Sequence, residues 1–149
     1  MTYDALRKGR TSLPHHAYLI TTVTHNRIPW FSQFDLARTT IHEIARIHTM
    51  NHVNSLAWVL MPDHLHWLVQ LKDNRALPDV MKSFKGRSSR LVNQILRRKG
   101  PIWQRAYHDH AVRENEDIRG MARYIVFNPI RAGLVNKIGE YPFWDALWL

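Results

Sequence analysis

Residues 55–71 read SLAWVLMPDHLHWLVQL, and the fold is decided within them. Residues 55–60 are dense in aromatic, β-branched and aliphatic side chains and read as a strand. Met61-Pro62-Asp63 reads as a tight turn, with Pro62 fixing its own φ and Asp63 suited to the bend. Residues 64–71 then read as the second arm of a hairpin. Leu65, Trp67, Val69 and Leu71 alternate onto one face of that arm, so His64 and His66 leave the other face together. Two residue readings fit the pair: two imidazoles aimed at one ion, or two surface histidines on a half-exposed strand.

Outward from the hairpin, the pattern alternates between periods of two and of 3.6. Residues 17–23 (AYLITTV) read as a strand, and residues 34–50 as an amphipathic helix with Leu36, Ile41, Ile44 and Ile47 on its apolar side. On the C-terminal side, Leu77-Pro78-Asp79 opens a helix through about Arg98, stopped by Gly100-Pro101. Residues 102–113 (IWQRAYHDHAVR) read as a fourth strand. Asn115 caps a further helix that runs towards Asn128, where Pro129 limits it. The order is β-α-β-β-α-β-α. It predicts an α+β fold with a ferredoxin-like βαββαβ core, an antiparallel sheet and an extra C-terminal helix. One domain is expected over 1–149, with a basic arm at 1–13 and an aromatic tail at 136–149.

The chain has 149 residues, enough to bury a core of its own. It contains no cysteine and ten histidines. Disulfide frameworks, Cys-ligated zinc, iron–sulfur centres and a cysteine nucleophile are therefore excluded. Any bound metal must rely on His with Asp, Glu, Asn or Gln. Thr2-Tyr3-Asp4 and Arg7-Lys8-Gly9-Arg10 show no secretory apolar region, and no apolar run reaches transmembrane length. The expectation is a cytoplasmic protein with no membrane partner.

The formal net charge is +9, which points to a polyanion and to nucleic acid first. Between Lys72 and Lys99, nine basic residues face only Asp73 and Asp79, so most of that excess belongs to one helix and its approaches. Arg10, Lys82, Lys85, Arg87, Arg90, Arg97 and Arg98 are the expected phosphate contacts. Arg123 and Arg131 are added because they flank a tyrosine considered next.

A second His-x-His pair, His108-Asp109-His110, carries a charge at its centre and reads as solvent-facing polar residues rather than as a site. Further on, Tyr124 and Asn128 stand four apart and share a face on a helix. Taken singly, Tyr124 reads as a half-buried aromatic and Asn128 as a helix cap before Pro129.

In combination these stretches resemble a known family. His64-Leu65-His66 after Met61-Pro62-Asp63 resembles the HUH motif of single-tyrosine DNA transposases. Residues 123–135 (RYIVFNPIRAGLV) resemble the tyrosine motif of the REP-associated tyrosine transposases, bacterial relatives of the IS200/IS605 enzymes. The likeness runs over about residues 14–144. It implies that Tyr124 is the nucleophile and that His64, His66 and Asn128 hold a divalent metal, Mg²⁺ or Mn²⁺. Asn128 stands where related enzymes place Gln. It further implies cleavage and strand transfer of single-stranded DNA at hairpin, REP-like sequences through a 5′-phosphotyrosine. The implied setting is a monomer associated with the nucleoid, with no small-molecule cofactor. Two alternatives compete with this reading: a hairpin binder without chemistry, and a metallohydrolase built on His108 and His110.

Overall fold

In a computed structural model the described residues are 16–50, 52–72, 75–113 and 115–148. Five strands appear: β1 (Ala17–Val23), β2 (Val53–Met61), β3 (His64–Leu71), β4 (His108–Ala111) and β5 (Trp144–Ala146). The helices are α1 (Phe34–Thr49), α2 (Leu77–Leu96), α3 (Ile118–Val126) and α4 (Asn128–Arg131). The sheet order is β4-β1-β3-β2-β5, with every neighbouring pair antiparallel. The first four strands and α1 and α2 form the ferredoxin-like core expected from the sequence.

The strand period of two sorts the side chains between two cores. On one face Tyr18, Ile20, Leu65, Trp67, Val69 and Leu71 pack against Leu36, Ile44 and Ile47 of α1 and Val80, Met81, Phe84 and Val92 of α2. Each large side chain buried here contributes about 1.5–3 kcal/mol of apolar transfer. The one polar atom of Trp67 is satisfied, its Nε1–H donating to Ser55 Oγ at 2.7 Å. On the opposite face Ala17, Ala57, Val59 and Leu68 meet Ala122, Ile125 and Val126 of α3. This smaller core places α3 on the same face as His64 and His66.

Several boundaries differ from the sequence reading; β2, for one, spans Val53–Met61 rather than 55–60. The fourth strand is confined to His108–Ala111. Residues 102–104 already run beside the end of β1, through His25 N–H to Ile102 O and Gln104 N–H to Val23 O. The Lys85 ammonium then takes the carbonyls of Gln104 and Arg105 out of the ladder. α2 stops at Leu96 because Arg97 adopts the left-handed conformation, φ 54° and ψ 47°. The cap of α3 is Asp117, not Asn115: its carboxylate accepts the Gly120 N–H at 3.0 Å. A Cβ at Gly120 would lie 2.5 Å from that carboxylate, so the glycine makes room for the cap. Finally, the aromatic tail contains a strand. β5 lies along the outer edge of β2, pairing Trp144 with Val59 and Ala146 with Ala57. Among the described residues no helix is long and apolar enough to cross a membrane.

Candidate active site and nucleic-acid interface

The turn at Pro62-Asp63 starts β3 with two histidines on the α3 face. Their ring centroids are 4.8 Å apart and the planes are inclined at 78°. Each ring is held by its Nδ1. His64 Nδ1 lies 2.8 Å from Asp63 Oδ1, and His66 Nδ1 lies 2.9 Å from Thr21 Oγ1 on the neighbouring strand. Thr21 reaches it because the β1–β3 register sets these two residues opposite each other. With both Nδ1 atoms occupied, both Nε2 atoms are left for another partner. Asn128 supplies the next polar group, its side-chain Nδ2 standing 3.4 Å from His64 Nε2. The helix break at Phe127, φ −83° and ψ 1°, ends α3 and lets Asn128 open α4 facing the sheet.

The protonation states suit ligation. Burial pushes the His66 imidazole down to about 4, helped by the charges of His64 and Arg131, so the ring is neutral at pH 7. Burial pulls the Asp63 carboxyl upward, but hydrogen bonds from His64 and Arg27 outweigh it and leave the group below its usual range. A carboxylate on the far nitrogen of a histidine fixes the tautomer and ring orientation, as in many metal sites. The His64 Nε2 atom and the Asn128 amide therefore meet beside the His66 ring. Among the described residues no cluster of three or more His, Asp or Glu side chains could hold a metal, and the side chain that meets His64 Nε2 is the Asn128 amide. The amide's oxygen and nitrogen exchange places by a half-turn of its terminal torsion. This mixed nitrogen and oxygen donor set fits Mn²⁺ better than Mg²⁺, which favours oxygen.

Tyr124 projects from α3 with 65% of its surface exposed. The Arg131 guanidinium lies 3.7 Å from the centre of its ring and also donates to the Tyr124 backbone carbonyl. α3 is amphipathic, with Ala122, Ile125 and Val126 turned into the sheet, which leaves Tyr124 on the open side. The helix that carries Tyr124, two oriented histidines and an amide thus share one face of the sheet. The sequence model described as Transposase IS200 like matches residues 12–128. The chain belongs to the IS200-like transposase family.

Other members are similar over part of their length. A REP-associated tyrosine transposase of Escherichia coli K12 is 28% identical over 114 residues, covering 75% of this chain and 64% of its own. A Haemophilus influenzae Rd relative is 28% identical over 105 residues, covering 60% of this chain and 56% of its own. The chain thus spans less than two thirds of the curated relatives it matches. The fold is similar to a solved REP-associated tyrosine transposase bound to a REP hairpin, with a TM-score of 0.74 at 22% identity. That likeness covers 93% of this chain and 81% of the other.

The expected phosphate contacts fall into separate groups. Lys82, Arg90, Arg97 and Arg123 are exposed. Arg87 instead reaches Glu43 Oε1 at 3.0 Å, and Arg46 reaches the same oxygen at 2.8 Å, so both cations neutralise one buried carboxylate. Arg98 donates to Asn93 Oδ1 and stacks 5.1 Å from the centre of Trp30. Lys85 is bound to two backbone carbonyls, and burial holds its ammonium below the usual lysine range. Arg10 lies outside the described residues.

Three features of the site escaped sequence reading. Asp63 reads as a turn former, and only its position directly before the His pair signals its second role. Thr21 is forty-five residues away in sequence and becomes visible only through the strand register. His108 and His110 share the face of His64 and His66, because β4 sets His108 opposite Thr21 and His110 opposite Leu19. His110 Nε2 is held by the Glu116 carboxylate at 2.8 Å, which ties β4 to the turn leading into α3.

Proposed function

We propose that this chain cleaves and rejoins single-stranded DNA at hairpin sequences, using Tyr124 as nucleophile. The observation that carries the reading is the convergence of His64 Nε2 and Asn128 beside His66, on the face that also bears Tyr124. The Tyr124 Oη attacks the scissile phosphorus, forming a 5′-phosphotyrosine and releasing a 3′-OH. Its proton passes to water, to which the ring is open, and the departing 3′ oxygen takes a proton in return. Because the phosphodiester energy is kept in the tyrosyl ester, a 3′-OH can reverse the step and join strands. A divalent cation bound by His64, His66 and Asn128 would polarise the phosphate as a Lewis acid. Arg131 holds the Tyr124 ring and places positive charge where phosphate arrives. The exposed cations of α2 supply the sequence-independent attraction for the hairpin. A monomer serves as the working unit in this reading, since β5 of the same chain occupies the outer edge of β2.

The test is a labelled hairpin oligonucleotide with single-stranded flanks, incubated with Mn²⁺ and resolved under denaturing conditions. A covalent protein–DNA adduct is expected, absent in EDTA and absent in Tyr124→Phe. An adduct that persists in Tyr124→Phe overturns the assignment. Tight hairpin binding in EDTA, with no cleavage in any divalent metal, makes the protein a binding module instead.

A further inference from the structure

A second groove runs on the other side of the sheet edge, between α2 and residues 101–107. It has a volume of about 450 Å³ and is lined by Met81, Lys82, Gly86, Ser89, Arg105 and Tyr107 among others. Lys82, Lys85, Gly86 and Ser89 recur at three- and four-residue spacing, so one face of α2 forms a whole wall. Gly86 is the unexpected member. A glycine in a helix interior costs stability relative to alanine, and neither φ nor packing demands it here: a Cβ at Gly86 would meet nothing within 4 Å. A glycine that its own protein does not require leaves room for something else to approach the helix closely.

The chemistry of the walls says what fits. Lys82 and Arg105 are exposed and make no ion pair among the described residues. Ser89 adds a hydroxyl. Tyr107 offers an aromatic ring, with the Lys85 ammonium 5.8 Å from its centre. Aromatic surface flanked by cations is how single-stranded nucleic acid is held without sequence reading. The position agrees. Tyr107 immediately precedes His108, which pairs with Thr21, and Thr21 pairs with His66. Two strand spacings, about 10 Å, separate the groove's end of β4 from the catalytic histidines.

We propose that this groove binds an unpaired nucleotide of the DNA strand that passes the active site, the strand crossing the β4 edge to reach it. The base lies over Gly86 against Tyr107, and its phosphate meets Lys82 and Arg105. The proposal rests on the strand-cleaving reading above, and its test is made separable by measuring binding alone. Tyr124→Phe protein in EDTA is titrated, by fluorescence anisotropy, with a hairpin that has no tail and with hairpins carrying oligo-dT tails of increasing length. Tails long enough to reach the groove are expected to tighten binding about tenfold or more. Adding Gly86→Leu is expected to bring the tailed hairpins back to within about twofold of the tail-less one. Leucine favours the helix, so this variant should melt at or above the parent temperature. Gly86→Ala should raise the melting temperature by about 2–4 °C and lose part of the gain from tails, which keeps the test alive if the leucine variant fails to fold. A folded Gly86→Leu protein that keeps the full gain overturns the proposal, as does a tail that adds no affinity at any length. Failure of the wild type to form a tyrosyl adduct would overturn the reaction while leaving this comparison in force.

Discussion

His64 and His66 each have their Nδ1 atom held by a neighbouring side chain. Asp63 holds one and Thr21 the other, which leaves both Nε2 atoms open, that of His64 lying 3.4 Å from the Asn128 amide. Asp63 also links the site to Arg27 across the turn, at 3.2 Å. Replacing such an outer partner costs ten- to a hundredfold in metal affinity at comparable sites. Asp63→Ala is therefore expected to weaken Mn²⁺ binding in calorimetric titration by about that factor, with the fold intact by circular dichroism. Unchanged affinity would remove Asp63 from the site. At this scale the sequence was readable where parity alone decided the outcome. The alternation of Leu65, Trp67, Val69 and Leu71 set His64 and His66 apart. The contribution of Thr21 was not readable, because it depends on a register between strands distant in the chain. Nor was the stacking of Arg131 on Tyr124, which depends on how the chain turns at Phe127.

α2 carries the largest share of the positive charge, yet its cations have different employments. Glu43 of α1 is buried, with side-chain exposure of 4%, and accepts from both Arg46 and Arg87. The two helices are thus clamped across their apolar contact by one carboxylate. Removing that carboxylate strands two cations at the helix interface, and breaking a buried pair costs about 3–5 kcal/mol. Arg87 is 43% exposed, which reduces its own share well below that range. The expected outcome is a division of labour. Arg87→Ala lowers the urea midpoint and scarcely alters hairpin affinity. Arg90→Ala leaves the midpoint in place and lowers the salt dependence of binding by about one unit of slope. Equal salt slopes for both variants would show that Arg87 leaves Glu43 for phosphate. The elements themselves were legible in unequal measure. Residues 17–23 and 64–71 match their strands end for end, because each alternates cleanly between two cores. The fourth strand was overread, since Ile102 and Trp103 look like strand residues and are buried, while Lys85 diverts the carbonyls that follow. β5 was missed because a three-residue strand inside an aromatic tail has no period to detect.

For the molecule as a whole, the segment after α4 closes one side of the fold through Tyr141. Its hydroxyl donates to the carbonyl of Leu60 in β2, and burial pushes the phenol up to about 12. A group whose folded pKa is raised contributes its stability in full below the unfolded value, about 10 for tyrosine. That contribution fades as pH rises through the folded value. Stability is therefore expected to fall between about pH 10 and pH 12. Tyr141→Phe should cost about 1 kcal/mol at neutral pH but lack this alkaline loss, so the two denaturation midpoints converge in alkali. Midpoints that stay parallel to pH 12 would show that Tyr141 does not ionise with unfolding.

The sheet's outermost strands have a colloidal consequence. β4 and β5 are only four and three residues long, and each holds an aspartate at or near its middle, Asp109 and Asp145. Short edges that carry charge are poor templates for a foreign strand. With like-signed molecules also repelling one another at +9, the described edges of the sheet are poor places for it to grow. On the function proposed above, copies crowded along one DNA strand are expected to stay separate rather than pair edge to edge.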